Sequence, residues 1–195
     1  MMRVGLQRGE EATGTEGSNH GEWEYALWRR HLFMGIGSFT LGAVLLFGYL
    51  VFTPHGPHRG LLTAIDVAGA ACWLGVFAPV GIRVLQTKWR VPFFFIWSVT
   101  TLVFIAAGAG LDGGIESPIT GLLVLPVLFA ALVYPLTTVI ALAVVEDVFY
   151  VIVAATGPVV SPSRVTMTGV SLGLAGSVAV MAAINRTAQE RDRQR

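Results

Sequence analysis

Glu146 and Asp147 stand side by side in the middle of an otherwise apolar stretch that runs from Leu136 to Ala155. A stretch of that length can cross a bilayer, which puts two carboxyls near the hydrocarbon midplane. A charge at that depth is costly, and an ionisable residue there is a candidate functional site. No Lys or Arg lies inside any apolar stretch of the chain to neutralise them. They must be protonated, hydrogen-bonded to neighbours, or open to a cavity filled by water or ligand. Adjacent helix positions differ by about 100°, so the two cannot point the same way. Tyr150 lies one turn further on, where its hydroxyl can reach either acid by helical spacing. Asp66, one to two turns inside the second apolar stretch, is a further acid able to share the cavity. The alternative is a protonated pair held by hydrogen bonds within the bundle.

The segment Leu111-Asp112-Gly113-Gly114-Ile115-Glu116-Ser117-Pro118 is a second candidate. Two glycines permit backbone conformations closed to other residues. Asp112, Glu116 and the free amides at the start of the next helix make a compact polar site at the membrane surface. An Asp-Gly turn between two helices accounts for the same residues. His55 and His58 could bind a metal or sense pH, but two ligands without a third fit a solvated loop better. No histidine lies inside a spanning stretch, His31 being at an edge, which argues against haem. Cys72 is the single cysteine, so neither a disulfide framework nor a cysteine metal site is expected.

The elements that would position these residues are six apolar stretches: His31–Phe52, Leu61–Val80, Phe93–Leu111, Pro118–Tyr134, Leu136–Ala155 and Val165–Ile184. Each approaches the ~20 residues a spanning helix needs. The fold expected is all-α, a bundle of six transmembrane helices over 31–184. A polar segment, 1–30, precedes it and a helical stalk or tail, 185–195, follows. Ser117 before Pro118 reads as an N-cap with proline in the first turn, and Pro126 should kink the fourth helix. Gly169, Gly173 and Gly176 put small residues along the last helix, permitting close packing within the protomer or across a dimer.

Composition agrees: 54% of residues are hydrophobic and 13% charged, about half the charge of a typical soluble domain. The acidic first thirty residues have no apolar core, so no cleaved signal peptide is expected. Little room is left for a soluble catalytic domain, and nothing addresses nucleic acid. Arg29, Arg30, Arg83, Lys88, Arg90, Arg186, Arg191, Arg193 and Arg195 fall on one side of the expected topology, against Arg59 and Arg164 on the other. Both termini are therefore expected in the cytoplasm, with Trp28 and Trp89 at the inner interface.

The run LDGGIESP over Leu111–Pro118, with the following LLVLPVLFAA and Val133-Tyr134-Pro135, resembles the six-helix membrane module of bacterial signalling proteins. Such modules precede GGDEF-type diguanylate cyclase domains and sensor histidine kinases. A looser likeness holds to RegB-type redox sensor kinases, where a Gly-Gly-x-x-Asn-Pro loop is associated with quinone; Ser117 stands where that pattern has asparagine. The resemblance implies a non-catalytic sensory or relay module of the bacterial inner membrane, with the lipid bilayer, a second copy and a cytoplasmic output domain as partners. Quinone is the cofactor it suggests. The chain carries no cyclase, kinase or nucleotide-binding motif, so no enzyme is expected. A ligand would sit between Asp112–Ser117 and Asp66, Glu146, Asp147 and Tyr150. The competing class is a small transporter that uses the intramembrane acids as a proton relay.

Overall fold

The computed structural model describes residues 14–53, 58–132, 134–158 and 160–193. Among these residues every regular element is helical. Helix α1 spans Gly14–Phe52, and α2 spans Arg59–Val84 with a π-helical turn at Trp73–Phe77. Helix α3 is Arg90–Leu111 and α4 is Pro118–Ala131; α5 is Leu136–Thr156 and α6 is Pro162–Arg193.

Five helices are long and apolar enough to cross a membrane: Trp28–Phe52 within α1, then α2, α3, α5 and Pro162–Gln189 within α6. The exception is α4, shorter than its apolar run suggests. It begins as a 3-10 helix, Pro118–Val124, and becomes α-helical only over Leu125–Ala131. Because a 3-10 helix rises about 2.0 Å per residue, the two halves together still extend about 24 Å. Pro126 does not kink a continuous α-helix. It occupies the first turn of the α-helical half, directly after the 3-10 segment, so no continuous α-helix runs through it.

Helix α4 is central. Ile119, Leu123, Val127 and Ala130 are buried against Leu102 and Ala109 of α3, Val139 and Leu142 of α5, and Ala179 and Ala183 of α6. A 3-10 backbone, with its poorer hydrogen bonds, is tolerated at membrane depth when protein surrounds it. Helices α1 and α2 form a hairpin on the flank of this core. Trp28 and Leu32 anchor α1, and Trp73 of α2 packs on Trp97 of α3. The rest of α1 presents Leu41, Val44, Leu45, Phe47 and Val51 outward, as a lipid-facing helix does.

Trp28 begins the spanning part of α1 and is buried, stacked on Phe94 and Tyr134 with Arg90 over its ring; Trp89 is 64% exposed.

Candidate functional site

The residues singled out from the sequence do not converge on one cavity. They fall into three places.

The first is the end of the bundle where α1 meets α2 and α3 meets α4. Asp112, its side chain wholly enclosed, lies 2.7 Å from Arg59 Nη1. The contact is a close pairing of charges without aligned hydrogen-bond geometry. The other carboxylate oxygen accepts from Tyr49 Oη at 2.9 Å and Ser117 Oγ at 2.6 Å. The Arg59 guanidinium lies 4.8 Å from the centroid of the Tyr49 ring and donates to its hydroxyl at 3.3 Å. Ser117 is the N-cap expected, accepting from Ile119 N–H at 3.1 Å.

Gly113 and Gly114 adopt φ of 114° and 71°, the left-handed region where glycine is at ease. A side chain at Gly114 would meet Gly157 Cα at 3.1 Å, so this turn touches the α5–α6 turn backbone to backbone. Glu116 pairs with Arg164 at 3.1 Å on the surface. Asp112, Gly113, Gly114, Glu116 and Ser117 thus spend their polar groups on one another and on Arg59, Tyr49 and Arg164. This is a latch between hairpins: its enclosed acid, Asp112, is paired with Arg59, and its exposed acid, Glu116, meets Arg164 at the surface. Arg59 and Arg164 were legible only as topology signals, because nothing in their spacing announces partners so distant in sequence. His58 takes a left-handed conformation at the start of α2; His55 lies outside the described residues.

The second place is a groove of about 320 Å³ on the α5–α6 face, lined by Ala143, Glu146, Asp147, Gly173, Gly176 and Ser177 among others. Glu146 and Asp147 diverge as helical geometry requires. Glu146 is 2% exposed, whereas Asp147 faces outward. One Glu146 oxygen, Oε1, has no hydrogen-bond partner among the described residues, and Oε2 packs near Gly176. An unmatched buried polar atom of this kind calls for a proton, a water or a ligand.

Tyr150 does not orient either acid. Its hydroxyl donates to the Val165 carbonyl of α6, and its ring lies against Gly169. The reach predicted from spacing along α5 was available, but the wide gap at Gly169 admits the ring to the neighbouring helix instead. Gly169 is therefore a packing glycine within the protomer, while Gly176 lines the groove beside Glu146. Gly173 has nothing near it and opens onto the groove.

The third place holds Asp66, half-buried in a separate groove between α1 and α2. The cavity expected to join it to Glu146 is absent from the described residues: the linings of the two grooves have no residue in common. The α1–α2 hairpin lies on the flank of the bundle, so the exposed side of α2 faces away from α5.

One polar feature went unread in the sequence. Arg186 on α6 donates to the carbonyls of Ala131, at 3.1 Å, and Tyr134. It caps the C-terminal end of α4 at the turn into α5, the end where a cation is favoured. Beside it His31, Phe94, Phe129 and Tyr134 form an aromatic cluster, with the His31 and Phe129 centroids 4.9 Å apart. The arginine reads as a topology charge in the sequence, and only tertiary packing shows what it holds.

No group of three potential metal ligands occurs among the described residues. No protein-family model matches the chain, and neither a curated protein nor a solved structure is similar to it.

Proposed function

We propose that this chain is a non-catalytic membrane module that senses a signal within the bilayer and relays it to a cytoplasmic output domain or partner. In this reading it crosses the bacterial inner membrane six times, α4 being the short crossing, with both termini in the cytoplasm and a second copy as its partner. The observation that carries the reading is the continuity of α6. One helix walls the Glu146 groove and runs on unbroken to Arg193. A change in the groove therefore acts on the rod that leaves the bundle. Two states of the bundle, differing in affinity for whatever occupies the groove, suffice for the mechanism.

The transporter reading requires acids in series. Asp66 and Glu146 line different grooves, and Asp112 is held by Arg59, so no string of free carboxyls among the described residues supports it. A flux assay on the full chain in proteoliposomes decides between the two. The relay reading expects no proton uptake above that of empty vesicles under an imposed potential. Robust uptake overturns it.

A further inference from the structure

The groove between α1 and α2 contains a carboxyl that is unmatched among the described residues. Asp66 is half-buried within a spanning helix and has neither an ion pair nor a hydrogen bond among the described residues. The groove has a volume of about 240 Å³, and its walls include Phe39, Phe47 and Trp73. Phe39 and Trp73 approach to 4.4 Å between centroids, while Phe47 stays exposed at the open side.

A second polar atom here also lacks a partner. Trp73 is only 6% exposed and its Nε1 has no hydrogen-bond acceptor among the described residues. It follows Asp66 by two turns on the same side of α2, about 10 Å along the axis, and begins the π-helical turn. A π-helical turn is an energetically poor element that recurs at functional positions.

We propose that this groove is a lateral binding site for a lipid-soluble organic cation, an ammonium amphiphile that enters from the bilayer. Its charged head pairs with Asp66, and its chain lies along Phe39, Phe47 and Trp73. Three observations converge on that class. The carboxyl of Asp66, within a spanning helix, is paired with no cation among the described residues. Ring faces attract an ammonium group, most strongly where water is excluded. The Trp73 N–H, donor only, matches a ligand with a hydroxyl or carbonyl further along its chain.

This site is independent of the α5–α6 groove, and the outcome for one leaves the other unaffected. The test is equilibrium binding of radiolabelled dodecylamine and dodecanol to the full chain in nanodiscs of zwitterionic lipid. The amine should saturate at one site per chain, with the alcohol bound at least about tenfold more weakly, the value of one charge-assisted contact. Asp66→Asn should weaken the amine by about tenfold or more while the helical circular dichroism is retained. Ala70→Trp fills the groove and leaves the carboxyl in place, and it should remove the site as well, so the proposal stays testable if the first variant fails to insert. Unsaturable uptake of the amine, equal binding of the alcohol, or wild-type binding by Ala70→Trp overturns it.

Discussion

Arg59 and Asp112 meet at 2.7 Å across the end of the bundle, joining the first residue of α2 to the C-cap residue of α3. Each is a member of a set that also includes Tyr49 and Ser117, so a single pair fastens the α1–α2 hairpin to the entry of α4.

Breaking that pair from one side leaves a buried charge uncompensated. Arg59→Ala should cost about 3–5 kcal/mol, whereas the double change Arg59→Met with Asp112→Leu should cost clearly less. Unfolding by dodecyl sulfate titration, followed by tryptophan fluorescence, measures both. A single variant as stable as wild type would show the latch to be unimportant.

Glu146→Gln keeps the shape of the side chain and removes its ionisable group from the centre of a spanning helix. Stability in the same titration should equal or exceed that of wild type, by up to about 2–3 kcal/mol on insertion scales. Asp147→Asn, at an outward-facing position, should change stability less. In a chain fused after Arg195 to a reporter output domain, Glu146→Gln should silence the response. A response retained by both variants would exclude the groove as the sensing site.

The three glycines of α6 should separate in sign. An alanine at Gly169 would bring a carbon to 3.1 Å from the Tyr150 ring, and the crowding should cost about 1–3 kcal/mol. At Gly176 the nearest atom, Glu146 Oε2, is 3.8 Å away and the change should be nearly neutral. Gly173 has open space, so alanine there should stabilise the helix by up to about 1 kcal/mol. Thermal unfolding in detergent ranks the series, and a reversed order would contradict the packing described.

Arg186→Ala removes two charge-assisted hydrogen bonds from the carbonyls of Ala131 and Tyr134. The loss should be about 1.5–3 kcal/mol for each well-formed bond at most. Lysine should restore only part, since it lacks the planar fork. Amide hydrogen exchange localises the effect: protection should fall at the α4–α5 turn and leave α3 unchanged.

Reporter fusions test the orientation. Fusions at residue 195 and in the Lys88 loop should report cytoplasm, and one near Asp112 the outside, by the distribution of cations. A fusion after Tyr134 that reports outside would mean that α4 turns back without crossing.

Hydropathy made the helices legible, because spanning length and apolar composition are local properties. The bounds of α3 and α5 agree with their apolar stretches to within a few residues. The Ser117–Pro118 start was legible for the same reason. The 3-10 form of Pro118–Val124 was not, since it depends on what encloses the segment and leaves hydropathy unchanged. The charges misled in one consistent way. Arg59, Arg164 and Arg186 each find a partner far along the chain, and one-dimensional spacing carries no trace of it. Tyr150 shows the converse error. Spacing along α5 allowed it to meet Glu146, but spacing sets only what a side chain can reach, and Val165 across the interface was the better acceptor.

The attachments of α6 limit how it can move. Near its start Arg164 holds Glu116, and the preceding turn rests on Gly114; near its far end Arg186 grips the α4–α5 turn. A piston stroke of one helical turn, about 5.4 Å, would have to tear both fastenings at once. Bowing between them breaks neither, and the open side chain–free patch at Gly173 lies in that middle stretch. Like a string held at both ends, this helix has more freedom across its axis than along it, and curvature is the movement its attachments leave open.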